Sequence, residues 1–302
     1  MKPTLYVNND SHSLAIYTKG NKANPAVIFL HGGPGGAISE ASFSFFDETK
    51  YFIIAFDQRG CGNSKPFASL YHNTVFDSVS DIEEIRKYFG LDSFIIFGGS
   101  YGTTLGLSYA IKYPSHVKAM VLRGIFLGRK EDISWLYQEG ASYYYPIEHQ
   151  KFKNFLNEND QKDIIKGYYK IFSSNDEESK KKACKIWSSY EASLTTLIPK
   201  VLSKDITNYD ISIALLECHY FKDTMFNGED NYILNNIDKI KEIPTFIVHG
   251  RYDIDCRPIG AILLHQNLKN SNLYLPIAGH SPYDEENFKK LVSIMKEISD
   301  LV

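Results

Sequence analysis

Gly98-Gly99-Ser100-Tyr101-Gly102 is the stretch of this sequence that decides the fold. It follows the apolar run Phe94-Ile95-Ile96-Phe97 and precedes a helical stretch, Thr103–Tyr113. A strand that turns into a helix through Gly-x-Ser-x-Gly exposes its serine on a strained turn at the top of a sheet. Glycines on both sides of the serine let the strand and the helix approach closely. A plain Gly/Ser-rich loop is the alternative, but the strand and helix patterns on either side favour a nucleophilic Ser100.

Apolar runs of strand length recur along the rest of the chain. Leu5–Val7 and Leu14–Tyr17 flank a polar turn and predict a hairpin at a sheet edge. Buried strands are predicted at Ala26–Leu30, Phe52–Phe56, Val117–Leu122, Pro244–Gly250 and Asn272–Leu275, and a closing amphipathic helix at Phe288–Ile298. Buried strands that alternate with helices indicate a mostly parallel sheet with helices on both faces. Together with the Gly-x-Ser-x-Gly turn, this predicts the α/β class and the α/β-hydrolase fold.

The pattern changes between residues 128 and 240. This segment consists of helix-like stretches rich in Lys, Glu, Tyr and Asn, without a run typical of a buried strand. We therefore predict a catalytic core at residues 1–127 and 241–302 and an inserted helical cap domain at residues 128–240. An insertion of this size, placed where the carboxyl ends of the strands converge, would cover the active site.

Composition and charge narrow the possible partners. The chain has 302 residues, 43% of them hydrophobic, and a formal net charge of −3. This balance provides no electrostatic reason to expect nucleic acid or an anionic membrane as a partner. The four cysteines are far apart and form no CxxC pair, and no signal peptide or membrane span is evident. We expect a cytoplasmic protein with reduced thiols. The sequence does not define its oligomeric state.

A nucleophilic serine needs a base and a carboxylate that orients the base. In this fold the chain order is serine, then acid, then histidine. Asp253 follows the predicted strand Pro244–Gly250, and His280 follows the last strand. We therefore predict Ser100, Asp253 and His280 as the catalytic residues, with Asp255 as a competitor for the role of the acid.

Two backbone donors must stabilise the oxyanion of the tetrahedral intermediate. The N–H groups of Tyr101, directly after the nucleophile, and of Gly33, in the loop His31-Gly32-Gly33-Pro34-Gly35-Gly36, are the candidates. A phosphate-binding glycine loop is the alternative, but the Gly-Lys-Ser/Thr ending of that motif is missing. We expect neither a metal nor an organic cofactor.

Several motifs in both parts of the chain resemble the prolyl iminopeptidase family, which comprises serine aminopeptidases of the α/β-hydrolase fold. In the core these are the loop His31–Gly36, the run Asp57-Gln58-Arg59-Gly60-Cys61-Gly62-Asn63-Ser64, the serine motif and Gly250-Arg251-Tyr252-Asp253. Four further motifs lie in the helical segment or just before it, at residues 122–126, 135–141, 187–191 and 217–221. The resemblance spans residues 14 to 284 and implies cleavage of N-terminal proline from short peptides.

The resemblance also implies a substrate site. Glu191 and Glu217 match the two glutamates that bind the terminal amine, and a buried cation needs such a carboxylate partner. The positions that form the proline pocket correspond to Phe126, Trp135, Tyr137 and Cys256. Arg123 has two alternative roles: it orients this pocket, or it forms a structural ion pair.

The chain departs from the family pattern at two positions near the nucleophile. Tyr101 stands where members often have Trp, and Ala37 where they often have Gly. Because the oxyanion donor is a backbone group, Tyr101 is not expected to disable it. An esterase or C–C hydrolase on the same fold is the alternative function, and a non-catalytic ligand receptor is a further one.

Overall fold

The described part of the computed structural model, residues 1–199 and 201–299, contains an eight-stranded sheet in the order β1-β2-β4-β3-β5-β6-β7-β8. The strands are β1 (Leu5–Asn9), β2 (His12–Lys19), β3 (Ala26–Leu30), β4 (Phe52–Phe56), β5 (Phe94–Gly99), β6 (Val117–Arg123), β7 (Thr245–Val248) and β8 (Ser271–Tyr274). The predicted hairpin is confirmed, because β1 and β2 pair antiparallel at the edge. β2 also pairs antiparallel with β4. All pairs among β3 to β8 are parallel, which confirms the mostly parallel sheet.

Helices cover both faces of this sheet. The described helices, including those of the segment between β6 and β7, are α1 (Val75–Tyr88), α2 (Tyr101–Lys112), α3 (Lys130–Tyr137), α4 (Pro146–Asn154), α5 (Ile164–Phe172), α6 (Glu177–Leu194), α7 (Asn208–Phe221), α8 (Tyr232–Asn235), α9 (Pro258–Asn267) and α10 (Glu285–Ile298). Successive side chains of a strand point to opposite faces. Ile28 and Ile96 accordingly join one buried cluster, and Val27 and Ile95 join the other.

The helices α3 to α8 lie between β6 and β7 in the chain, without a described strand among them. Their buried centre is aromatic: Phe152 stacks on Tyr168 and on Tyr190, with ring centroids 4.6 Å apart in both pairs, and its ring meets Trp187 edge-on. The division into a core (1–127 and 241–302) and a cap (128–240) remains our interpretation. Residues 200 and 300–302 of these ranges lie outside the described residues.

Small differences from the predicted boundaries have local causes. The helix after Ser100 ends at Lys112, one residue early, and Pro114 then begins a short 3₁₀ turn. The closing helix begins at Glu285, because two acidic residues occupy its first turn and are favourable near a helix N-terminus. The four cysteines are buried and unpaired. Among the described helices, none is long and apolar enough to cross a membrane.

Candidate active site

Ser100 lies on a strained turn between β5 and α2. Its backbone angles are φ 58° and ψ −130°, a conformation that few non-glycine residues adopt. A Cβ atom added at Gly98 would lie 2.5 Å from the carbonyl oxygen of Gly102, and one added at Gly102 would lie 2.2 Å from that of Leu30. Only glycine fits at both positions, so the close approach of strand and helix holds Ser100 in its strained geometry.

His280 and Asp253 come together from the loops after β8 and β7. The Nδ1 atom of His280 lies 2.8 Å from Oδ2 of Asp253, and both residues are buried. The other carboxylate oxygen, Oδ1, accepts a hydrogen bond of 2.8 Å from the N–H of Cys256. Burial raises the pKa of Asp253 to about 6, although His249 and the Cys256 N–H work against this. An imidazole held through Nδ1 presents Nε2 as the atom that can take a proton.

The second ring nitrogen of His280 has two charged neighbours. Oδ2 of Asp255 lies 3.0 Å from Nε2, and Nη1 of Arg123 also lies 3.0 Å from Nε2. Burial lowers the pKa of His280, and the Asp255 carboxylate opposes this shift. The two aspartates that compete for the role of the acid in the sequence therefore contact opposite nitrogens of one ring.

Arg123, the last residue of β6, connects the serine turn to the histidine loop. Its Nη1 atom donates a hydrogen bond of 2.8 Å to the carbonyl oxygen of His280. A Cβ atom added at Gly99 would lie 2.4 Å from Nη2 of Arg123, so the guanidinium packs directly against the turn. Burial lowers the pKa of Arg123, while Asp253 raises it. Arg123 thus contacts the catalytic loops, and it also lines the main cavity.

The glycine loop after β3 faces Ser100. A Cβ atom added at Gly32 would lie 2.9 Å from the Cβ of Ser100, and Gly33 (φ +109°) lines a cavity with the serine. The buried His31 supports the loop, because its Nε2 atom accepts a hydrogen bond of 3.1 Å from the N–H of Gln58. Tyr101 is the first residue of α2. Gly33 and Tyr101 therefore both lie next to the nucleophile, as an oxyanion site requires.

Two connected hollows open at the serine. The main cavity, of about 390 Å³, is lined by Ser100, His280 and Arg123 on the sheet side and by Glu191 and Tyr209 on the helical side. A small recess lies beyond it. Gly33, Ser100, Phe126, Leu136, Glu191, Glu217, Phe221, Asp255 and Cys256 line this recess. It combines apolar walls with three carboxyl groups.

Glu217 is buried in the helical segment and held by two aromatic donors. Its Oε2 atom accepts hydrogen bonds of 2.6 Å from Nε1 of Trp187 and 2.9 Å from the hydroxyl of Tyr137. Burial raises the pKa of Glu217 to about 8 against the effect of these two donors, and the negative charge of Asp255 adds to the increase. Glu191 on α6 is less buried, and burial together with Glu217 and Asp255 raises its pKa.

Of the four residues predicted to form the proline pocket, Phe126 and Cys256 line the recess. Trp135 and Tyr137 are not among the residues that line either hollow. Trp135 instead donates a hydrogen bond of 2.8 Å from Nε1 to the carbonyl oxygen of Ile254 and so supports the loop that carries Asp253. Tyr137 stands behind the recess and reaches it only through its hydroxyl contact with Glu217. These two aromatic side chains position the site residues rather than line the pocket.

Sequence reasoning missed three contributors to the site. Trp187 belongs to a motif in the helical segment, but its hydrogen bond to Glu217 had no signal in the sequence. Ser212 on α7 donates a hydrogen bond of 2.7 Å to the carbonyl oxygen of Gly35, which ties the glycine loop to the helix that carries Glu217. The contact of Asp255 with Nε2 is the third. The sequence shows the alternation Asp253-Ile254-Asp255, but it does not show which ring nitrogen of His280 each carboxylate contacts.

Among the described residues, Asp255, Cys256 and His280 could offer one ligand atom each to a metal ion, within 4.8 Å of one another. Burial raises the pKa of the Cys256 thiol well above its ordinary value, which disfavours the thiolate that a metal ion would bind. We therefore treat these residues as parts of the hydrolytic site.

The fold agrees with comparisons to known proteins. A family model described as the alpha/beta hydrolase fold matches residues 25–287, so the chain is an α/β hydrolase. A probable proline iminopeptidase of Leptolyngbya boryana is 41% identical over 274 residues, 89% of this chain and 85% of the relative. A proline iminopeptidase of Neisseria meningitidis is 39% identical over 292 residues, 96% of this chain and 94% of the relative. The chain therefore belongs to the proline iminopeptidase family.

Solved structures support the fold alone. A crystal structure of a proline iminopeptidase from Mycobacterium smegmatis covers 98% of this chain and 97% of its own, with a TM-score of 0.65 and 14% identity. An esterase from Rhodococcus sp. has a TM-score of 0.61 and 18% identity, and covers 99% of both chains. Because the two have different activities, the fold does not define the substrate.

Proposed function

We propose that this protein is a serine aminopeptidase that releases N-terminal proline from short peptides through an acyl-enzyme. The observation that carries the proposal is the recess that Ser100 shares with the carboxyl groups of the buried Glu217 and the partly buried Glu191. Such a recess offers a place for a terminal ammonium group next to a nucleophile. A simple esterase has no use for these charges, because burying a carboxylate is costly unless a partner compensates for it.

The chemistry assigned to the core residues follows from their contacts. The Ser100 hydroxyl attacks the carbonyl carbon of the N-terminal proline, and Nε2 of His280 takes the hydroxyl proton. Asp253 holds the imidazole through Nδ1 and stabilises the imidazolium that forms. The backbone N–H groups of Gly33 and Tyr101 stabilise the oxyanion. When the C–N bond breaks, His280 donates the proton to the leaving amine, and a water molecule then hydrolyses the ester.

The recess has a volume of about 10 Å³ in this structure, so its walls must move apart to admit a proline and leave no room for residues before it. Glu191 and Glu217 bind the terminal ammonium, and Phe126, Phe221 and Cys256 provide apolar surface for a pyrrolidine ring. A chain with further residues before the proline would have to continue through these walls. The leaving peptide extends into the main cavity of about 390 Å³, on the other side of Ser100.

We also propose short peptides with an N-terminal proline as the partners and the cytoplasm as the location. The four buried, unpaired cysteines support a reducing compartment.

The test compares initial rates on the arylamides of proline, alanine and N-acetyl-proline and on p-nitrophenyl acetate. We expect proline arylamide to be the best amide substrate and N-acetylation to abolish its cleavage, because the acetyl group removes the positive charge and adds bulk. Ester hydrolysis without cleavage of proline arylamide would refute the aminopeptidase and favour an esterase. The absence of both activities would favour a ligand receptor.

A further inference from the structure

Asp255 is buried and adds a third carboxyl group to the recess that contains Glu191 and Glu217. The mechanism above uses Asp253 to orient the base and two glutamates to bind one ammonium group. It assigns no task to Asp255. A buried carboxyl group without a task is costly, so its contacts show what keeps it there.

The contact that matters is with the base. Oδ2 of Asp255 lies 3.0 Å from Nε2 of His280, while Nδ1 of the same ring faces Asp253. A hydrogen bond between two such atoms needs one proton between them. Whether Nε2 or the carboxyl group carries that proton, the lone pair of Nε2 is engaged. Nη1 of Arg123, also 3.0 Å from Nε2, can donate to the same lone pair, but Asp255 is the one of these two neighbours that a cation attracts. His280 can accept the proton of Ser100 only when this lone pair is free.

The charged and titratable groups around this pair are predominantly acidic. They come from the end of β6, the loops after β7 and β8, and the helices α6 and α7: Arg123, His249, Asp253, Cys256, Asp284, Glu191 and Glu217. Among these described groups Arg123 provides the guanidinium, whose Nη1 atom contacts Nε2 and the carbonyl oxygen of His280. A cation that enters the recess therefore attracts Asp255 as well as the two glutamates.

We propose that Asp255 is a positioning residue that couples recognition of the substrate's terminal ammonium to the release of Nε2 of His280. This inference rests on the proposed function. The ammonium draws the Asp255 carboxylate towards itself, the proton between Oδ2 and Nε2 leaves to solvent, and the free lone pair accepts the proton of Ser100. A substrate without an ammonium leaves Asp255 on Nε2 and reacts slowly. Selectivity for free amines thus acts on the base as well as on binding.

The kinetic test uses Asp255→Asn, which removes the charge, and Asp255→Ala, which also removes the hydrogen bond. We expect kcat for p-nitrophenyl acetate to rise about tenfold in Asp255→Ala, the order of magnitude of a typical coupling between two sites. KM for proline arylamide rises in both variants, because the recess loses a carboxylate. Two variants serve as comparisons. Glu178 is an exposed carboxylate on α6, and Glu178→Gln leaves the kinetic parameters for both substrates unchanged. Glu217→Gln raises KM for the arylamide but does not raise kcat for the ester.

A spectroscopic test is independent of turnover. Ser100→Ala protein labelled with ¹⁵N keeps the contacts of His280, and the ¹⁵N shift of Nε2 reports whether its lone pair is free. We expect addition of L-prolinamide to move this shift towards that of a free lone pair. In the double variant Ser100→Ala/Asp255→Ala only Arg123, of these two neighbours, still contacts Nε2. The shift therefore starts closer to the free value than in Ser100→Ala, and the amide moves it little.

The outcomes separate this inference from the proposed function. Failure of the wild-type protein to cleave proline arylamide would refute the proposed function itself. If the wild-type protein prefers proline arylamide but Asp255→Ala leaves the ester kcat unchanged or lower, the coupling role of Asp255 is refuted. The coupling role is also refuted if the ¹⁵N chemical shift of Nε2 in the Ser100→Ala protein does not change when prolinamide is added. This test holds even if the Asp255 variants fail to fold.

Discussion

The end of the sheet that carries Ser100 and the helical segment that carries Glu217 build their parts of the site in opposite ways. Around Ser100 the backbone defines the geometry: a strained residue lies between glycines that leave no room for a Cβ atom. Around Glu217 side chains define it, because Trp187 and Tyr137 hold the carboxyl group by hydrogen bonds. Backbone geometry tolerates almost no substitution, whereas a site made of side chains can change without loss of the fold.

This contrast assigns reactivity to one region and selectivity to the other. The proposed nucleophile, base and oxyanion donors come from strand ends and loops of the sheet, which other α/β hydrolases share. The proposed ammonium site comes from α6 and α7. The two regions meet at the glycine loop, where Ser212 of α7 donates to the carbonyl oxygen of Gly35. Four predictions test the contrast, in order of decreasing effect.

Replacement of the nucleophile probes the sheet region directly. We expect Ser100→Ala to lower kcat by about 10⁴-fold or more on proline arylamide and on p-nitrophenyl acetate alike, because both reactions use the same serine. Initial rates of the purified variant measure this, and circular dichroism checks that the fold is retained. Loss of amide cleavage alone, with ester hydrolysis intact, would mean that another nucleophile serves the ester.

A single added methyl group tests the backbone. Gly102→Ala would place a Cβ atom 2.2 Å from the Leu30 carbonyl oxygen, which the turn cannot accommodate. We expect the free energy of unfolding to fall by about 3 kcal/mol, as for severe overpacking. Gly90→Ala is the matched control, because its Cβ atom would meet nothing within 4 Å and only its φ of +65° is strained. It should cost about 1 kcal/mol. Equal losses in urea denaturation would refute the close-approach argument.

Neutralising the amine site tests the helical region without touching the nucleophile. Glu217→Gln removes a charged hydrogen bond of about 1.5–3 kcal/mol to the substrate. We therefore expect kcat/KM for proline arylamide, measured above pH 8 where Glu217 is ionised, to fall by roughly 10- to 150-fold, and far less for p-nitrophenyl acetate, which has no ammonium group. The exposed Glu178→Gln on the neighbouring helix controls for the loss of one negative charge. Equal losses on both substrates would show that Glu217 supports the fold rather than the amine.

The pH dependence sharpens the same assignment. Burial raises the pKa of Glu217 to about 8, so its carboxyl group is largely neutral below this pH and becomes ionised above it. Only the ionised form binds an ammonium group strongly. We expect kcat/KM for proline arylamide to rise as the pH approaches 8, since this parameter reports the free enzyme. The ester should lack this rise, and so should Glu217→Gln. If kcat/KM of Glu217→Gln rises by the same amount, the titration of another group causes the rise.

Prediction from sequence succeeded where short segments carry the information. The apolar runs of β3 to β7 and the turn at Ser100 define a parallel sheet, because a strand buried on both faces must be apolar throughout. The family is confirmed by its relatives. The roles of Ser100, Asp253 and His280 remain predictions, supported by the distance of 2.8 Å between the last two.

Prediction was weaker for the walls of the recess. Trp135 and Tyr137 were expected in the proline pocket from the resemblance, yet they contact Ile254 and Glu217 from behind it. A motif shows that a residue type is needed at a position, but not the direction in which its side chain points. That direction depends on the packing of α3 against the loop that carries Asp253, which no local pattern encodes.

The sequence by itself determined the order of strands and helices, the position of the nucleophile and the helical segment before β7. Such features follow from periodicity and backbone sterics within a few residues. Only the tertiary structure decided which carboxylate faces which nitrogen of His280 and which donors hold Glu217. Arg123 and His280 are 157 positions apart, and Tyr137 and Glu217 are 80 apart. Contacts over such separations depend on how the whole chain packs, because each helix and loop takes its orientation from the others.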